Sequence, residues 1–242
     1  MENNIEFKGK TILVIGAHPD DNDFICGATV SRAVKEGAKV VYVIATSGQR
    51  GSNDENITPD ELGEIRKAEQ REAASLLGVS EIHFLEYCDG ELDPDIKLKE
   101  KLVRLIRQYK PDYVFSMNPS HYFYKEYGFI NHSDHRAIGE AVLDAVYPLA
   151  RDRLSFSEHR EDGLLPHKVK VIFLGAFLKE DANYFIDVTD TFDDKIKALI
   201  LHKSQINEPD KLRKRMEERA SEAGQLSGFK LAESFIRLQM PE

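Results

Sequence analysis

The sequence predicts an α/β fold: a Rossmann-like, mostly parallel sheet with helices on both faces, in a single domain over residues 1–242. Three observations carry that expectation. Short β-branched runs alternate with segments of helical period, the pattern of strands joined by crossover helices. Each run is continuously apolar, as parallel strands buried on both faces are. A chain of 242 residues fills one well-packed α/β domain and falls short of two with separate cores.

In chain order, Thr11 to Ile15 reads as the first buried strand and Val40 to Ala45 as the second, with a helix from Ala28 to Glu36 closed by Gly37 between them. The next helix is well signalled: Thr58 can cap it, Pro59 suits its first turn, and Glu61 completes a capping box before the run to Leu77. Strands are expected at Glu81 to Leu85, Tyr113 to Ser116 and Val169 to Leu174, and helices at Lys97 to Tyr109 and Arg136 to Ala145. After the strand-like Tyr184 to Val188, the chain is rich in Lys, Glu and Asp at helical spacing. Residues from about 190 to 242 are therefore expected to form a helical C-terminal part with a solvated face.

Composition excludes several function classes. With 41% hydrophobic and 31% charged residues the chain is globular rather than disordered. A formal net charge of −9 argues against a duplex nucleic-acid partner, which needs a basic face. Two separated cysteines, Cys26 and Cys88, give neither a disulfide framework nor a cysteine zinc site. The start, MENNIEFKGK, lacks the apolar stretch of a secretory signal, and no run of about 18 apolar residues occurs that could span a bilayer. No membrane partner and a cytoplasmic setting are expected; assembly as a homo-oligomer is left open.

The chemistry-bearing residues lie in two turns. Gly16-Ala17-His18-Pro19-Asp20-Asp21 follows the first strand, at the sheet edge where such folds bind ligands. A nucleotide-binding module would place a glycine triplet here, because only glycine lets backbone approach a pyrophosphate. Two carboxylates repel a pyrophosphate and attract a divalent cation, and His18 adds a nitrogen ligand suited to zinc. Alone, the turn fits equally well with Asp20 and Asp21 merely capping the next helix. The second turn, Asn131-His132-Ser133-Asp134-His135, precedes a helix at the same expected edge. His135 could complete a two-histidine, one-carboxylate site with His18 and Asp21, which would leave zinc an open position. His132 would then face that side, and Asp134 could hold it protonated and oriented. The alternative is a polar turn in which Ser133 or Asn131 caps the helix. Histidines 83, 121, 159, 167 and 202 lie in no ligand spacing and read as packed or exposed side chains.

On these residues the sequence resembles the LmbE-like, or PIG-L, family of zinc-dependent N-acetylglucosaminyl deacetylases, which carry an AHPDDE turn and a later HxDH turn. The resemblance continues through Thr46-Ser47-Gly48, Ile65-Arg66-Lys67-Ala68-Glu69, Leu77-Gly78-Val79, Leu85 to Gly90, Lys110-Pro111-Asp112, Phe185 to Val188 and His202-Lys203-Ser204-Gln205. It implies His18, Asp21 and His135 as zinc ligands, Asp20 as general base, and His132 as acid and oxyanion stabiliser supported by Asp134. It further implies Arg66 and Asp89 as contacts to a small amino-sugar substrate whose N-acetyl group is hydrolysed to acetate. Asn22 stands where the family turn has Glu, Ser133 where Pro is common, and Gln49 where an acid often follows the glycine. Ile130 replaces a tyrosine that helps hold the oxyanion in some members, so that aid is absent or comes from Tyr122, Tyr124 or Tyr127. The rival within hydrolases is a zinc amidase acting on an N-acyl or thiol-sugar conjugate, for which the same ligands would serve.

Overall fold

The computed structural model describes residues 5–241; Met1 to Asn4 and Glu242, the outermost residues of the expected domain and of the expected leaderless start, lie outside the described residues. In chain order the elements are β1 (Thr11–Gly16), α1 (Asp21–Lys35), β2 (Lys39–Thr46), α2 (Pro59–Leu77), β3 (Glu81–Tyr87), α3 (Ile96–Tyr109) and β4 (Tyr113–Ser116). A small hairpin of β5 (Phe123–Tyr124) and β6 (Phe129–Ile130) follows, then α4 (Ser133–Asp144) and β7 (Val171–Gly175). The chain closes with β8 (Tyr184–Asp187), α5 (Phe192–Ile200), α6 (Pro209–Ser227) and β9 (Ala232–Gln239).

Seven strands form one sheet in the order β3-β2-β1-β4-β7-β9-β8. From β1 the chain moves outward through β2 and β3, then returns to place β4 on the other side of β1, which makes the gap between β1 and β4 the topological switch point. Alternation within strands supplies two cores. Leu13, Ile15, Val41, Val43 and Val114 meet Leu98, Leu102 and Ile106 of α3 and Ile138 and Val142 of α4. Ile12, Val14, Val40, Tyr42 and Phe115 face Ala28, Val30 and Ala33 of α1 and Ala73, Ala74 and Leu77 of α2. Helix α2 begins with the expected capping box and ends at Gly78, whose φ of 77° suits a residue without Cβ. Gly139 of α4 lets that helix lie against the end of β4: a Cβ there would come within 2.6 Å of the Met117 carbonyl oxygen.

Two expectations are corrected. The part from about 190 to 242 is not wholly helical: β9 runs antiparallel between β7 and β8, with Ile172 opposite Leu238 and Phe185 opposite Ser234. Its residues alternate between buried and more exposed positions, and Phe235 is wholly buried among core aromatics. Helix α1 starts at Asp21 rather than Ala28, and it breaks at Cys26, where φ is −149°. Glu233 of β9 repairs the break by accepting the amides of Ala28 (3.3 Å) and Thr29 (2.8 Å), while Lys195 of α5 donates to the Phe24 carbonyl (2.8 Å) and to Glu233 (2.6 Å). The first turn of α1 is thereby a separately anchored piece at the sheet edge. Among the described residues no helix is long and apolar enough to cross a membrane.

Candidate active site

Both predicted turns meet at the β1–β4 edge. In the first, the Asp21 carboxylate folds back onto its own loop and accepts the amides of Ala17 (3.1 Å) and His18 (2.7 Å). Asp20 occupies the N-cap position of α1 without a capping hydrogen bond from its side chain, and its backbone sits at φ 101°, a region costly for a residue with a Cβ. Simple capping therefore accounts for neither carboxylate. In the second turn it is His132, not Ser133 or Asn131, that caps α4: its Nδ1 accepts the Asp134 amide at 3.2 Å. Asn131 turns instead to the His121 carbonyl.

The three histidine rings converge. Ring centroids of His18 and His132 are 4.8 Å apart, those of His18 and His135 5.2 Å, and those of His132 and His135 5.4 Å. His135 Nε2 lies 3.3 Å from Asp21 Oδ1, and His18 Nδ1 lies 3.3 Å from Asp21 Oδ2. On the other side of the His18 ring, Nε2 lies 3.1 Å from Asp89 Oδ1 and 3.3 Å from Asp134 Oδ2, without the alignment of a hydrogen bond to either. Among the described residues, two sets offer three ligand atoms within 4.8 Å of one another: His18, Asp21 and His135, and His18, Asp89 and His132.

The donor set fits a divalent cation. Burial alone would lower the pKa of His18, yet Asp134, Asp21 and Asp89 outweigh it and push the value up to about 12. Three carboxylates around one ring call for positive charge at that place, and nitrogen with carboxylate oxygen is the mixture zinc binds. Burial opposes ionisation of Asp21 as well, but His135 and His18 hold its pKa well below the usual carboxylate value. It is thus ionised at neutral pH.

Asp20 differs from its neighbour. Burial and then the Asp21 charge raise its pKa to about 6, against the opposing pull of Arg66, His202 and His18. A carboxylate poised there accepts a proton near neutrality, as a general base must. Arg66, buried on α2, spends NH1 on the Gly48 carbonyl (2.9 Å) and NH2 on the Pro19 carbonyl (2.8 Å) and on Asp20 Oδ2 (3.2 Å). Asp89 is buried too, with Oδ2 accepting the Arg50 amide; His18 overcomes burial and draws its pKa down to about 2.

The expected pairing of Asp134 with His132 is not formed. The fully buried Asp134 carboxylate accepts the amides of Gly90 (2.7 Å) and Leu92 (3.4 Å) and faces His18. His132 is consequently not held protonated: burial first, then the His18 charge, lower its pKa despite Asp134 nearby. The family departures also find places. Asn22, wholly buried, donates to the Val14 carbonyl, and Gln49 accepts the Asp89 amide at 3.3 Å. Tyr124 is packed against Phe177, and the Tyr122 ring lies under Arg136; among the described residues neither they nor Tyr127 hydrogen-bond the three histidines. Sequence reading missed Gln70, Asp23 and His202, which are wholly buried beneath the first turn. The motif His202 to Gln205 signalled that segment without revealing its role. Histidines 83, 121, 159 and 167 are each held by a local partner away from the cluster.

Comparison with known proteins supplies a family and a shared fold. The family described as PIG-L, GlcNAc-PI de-N-acetylase, matches residues 13–146, from β1 through α4. The chain is 31% identical to the diacetylchitobiose deacetylase of Thermococcus kodakarensis over 82% of its length and 71% of that protein's. It is 27% identical to a probable N-acetyl-alpha-D-glucosaminyl L-malate deacetylase of Bacillus cereus, over 80% of this chain and 83% of the other. The crystallised N,N'-diacetylchitobiose deacetylase of Pyrococcus horikoshii superposes with a TM-score of 0.88 at 30% identity, covering 98% of this chain and 87% of that one.

Proposed function

The chain belongs to the PIG-L family, and from that premise we propose that it is a zinc-dependent hydrolase that removes the N-acetyl group of an N-acetylglucosamine-type sugar or conjugate as acetate. The whole chain acts in this reading as one deacetylase domain. The observation that carries it is the meeting of His18, Asp21 and His135 within 4.8 Å, with Asp20 next to them and outside the ligand set.

His18, Asp21 and His135 would hold the metal, which when bound supplies Lewis acidity toward the amide carbonyl and toward water. Asp20 removes the proton of the attacking water, its carboxylate kept partly proton-loving by burial and by Asp21. His132, whose Nδ1 is occupied by the Asp134 amide, keeps Nε2 for the substrate, where it stabilises the tetrahedral oxyanion. The amine leaves with a proton returned from Asp20; the acid role expected of His132 falls away, because its Nδ1 accepts the Asp134 amide and the neutral ring would have to become an imidazolate to give up its one proton. Asp89 and Arg66 are the proposed sugar contacts, and each has a second duty: Asp89 balances His18, and Arg66 holds Asp20. Asp134 acts by orienting His18 and the loop at Gly90.

Acetate release from N-acetylglucosamine and from N,N'-diacetylchitobiose, measured on protein stripped of metal and then reloaded with zinc, tests the reading. Acetate is expected only from the reloaded protein, with about one zinc per chain. Equal release by the stripped protein would remove the metal from the mechanism. Cleavage of thiol-sugar amides with neither acetyl sugar touched would move the substrate to the conjugate class.

A further inference from the structure

We propose that Gln70, braced by Asp23 and His202, is a positioning residue that fixes Asp20 in its working conformation. The proposal rests on Asp20 being the general base, and it starts from the backbone of that residue. At φ 101° and ψ −31° Asp20 lies in a region that a side chain disfavours, so its surroundings must hold it there. Rotation about its N–Cα bond is set by the orientation of the preceding peptide group, and both polar atoms of that group are gripped by α2. Arg66 donates to the Pro19 carbonyl at 2.8 Å, and Gln70 Oε1 accepts the Asp20 amide at 2.7 Å. Residues 66 and 70 are one helical turn apart and therefore share a face. The rigid spacing of α2 is thus imposed on the peptide that aims the base.

An amide side chain can present oxygen or nitrogen, and Gln70 has its choice made for it. Its Nε2 donates to Asp23 Oδ2 at 2.9 Å, which forces Oε1 toward Asp20 because a carboxylate only accepts. Asp23 is itself fixed by His202 Nε2 at 2.9 Å and by the Tyr42 hydroxyl at 3.0 Å. Gln70, Asp23, His202 and Tyr42 are all at 0% exposure, so solvent does not compete for these bonds. The segment that carries His202 is tied to the same helix: Glu69 accepts the Ser204 amide at 2.8 Å and its hydroxyl at 2.6 Å. Glu69 of α2 and the motif from His202 to Gln205, which the proposed chemistry leaves unused, thereby join Gln70 in one brace under one strained residue.

An ordinary structural glutamine would support the loop without acting through the Asp20 carboxylate, and a double-mutant comparison separates the two roles. With zinc-reloaded protein and N,N'-diacetylchitobiose as probe, Gln70→Met should lower kcat about 10- to 100-fold, the cost of a misplaced catalytic group. KM and zinc content should stay unchanged. In an Asp20→Asn background the same Gln70→Met change should cost less than about threefold, because the group it positions is gone. Equal loss in both backgrounds, unchanged kcat in the single variant, or loss of zinc would overturn the proposal. Hydrogen exchange of the Asp20 amide judges the brace without reference to turnover: it should quicken in Gln70→Met, and an unchanged rate refutes the grip. Full activity in Asp20→Asn alone would instead overturn the assignment of the base.

Discussion

Arg66 and Arg107 are both buried, at 5% and 1% exposure, and each reaches from a helix into an irregular loop on its own side of the sheet. Arg107 of α3 donates to the carbonyls of Leu149, Ala150, Asp152, Ser155 and Phe156 at 2.8 to 3.2 Å, and its NH1 lies 3.3 Å from His159 Nδ1. Every nitrogen is used, and among the described residues no carboxylate pairs with it. Arg66 of α2 uses NH1 and NH2, leaves Nε without a partner, and touches a carboxylate whose pKa has been raised to about 6. A buried cation saturated by carbonyls is a staple for the chain around it. One with a spare donor, set against a perturbed acid, is the arrangement expected at a reactive site.

The largest effects are expected on the Arg66 side. Asp20→Asn should keep bound zinc and lose 10²- to 10⁴-fold in turnover, roughly 3 to 5 kcal/mol of barrier, since the change removes the proposed base and spares the proposed ligands. Metal analysis and acetate release measure both halves. Activity within about threefold of the parent would place Asp20 outside the mechanism.

Arg66→Met should come next, with kcat down about 10- to 100-fold from loss of the grip on Pro19 and Asp20. Arg107→Met should show the opposite profile: kcat and KM unchanged, and stability down by about 2 to 4 kcal/mol as buried carbonyls lose their donor. Urea unfolding and steady-state kinetics on the two variants side by side would break the comparison if their profiles were exchanged.

This contrast also marks what the sequence could disclose. Strands β1 and β4 are legible because their apolar runs are local, and the two turns because carboxylate and imidazole at a strand end have few other uses. Pairing of β9 depends on β7, some sixty residues earlier, so its alternation went unseen beside the charged α6. Gln70 and Arg107 are polar residues on polar-looking helices, and only tertiary packing reveals which polar positions face inward. The role of Asp134 was misread for a related reason: adjacency in sequence suggested His132, whereas the fold turns its carboxylate to His18 and Gly90.

The smallest effect tests how far the staple extends. His159 presents Nδ1 to Arg107, a donor, so its proton belongs on Nε2, which lies 2.7 Å from Glu100 Oε1; Arg104 Nε donates to the same oxygen at 3.0 Å. Burial raises the pKa of Glu100, but His159 and Arg104 outweigh it and hold the value below the usual one. A carboxylate whose pKa is depressed by folding contributes its full stabilisation above its unfolded value, about 4.3, and loses it as pH falls through the folded value. Glu100→Gln keeps an oxygen for His159 and removes the charge. It should therefore cost less than about 1 kcal/mol at pH 7, as expected for a partly exposed pair. The difference from the parent should shrink as urea unfolding is repeated from pH 5 downward, and kcat should not change. A gap that stays constant across that range would mean that the charge of Glu100 adds nothing, and that the staple ends at the His159 ring.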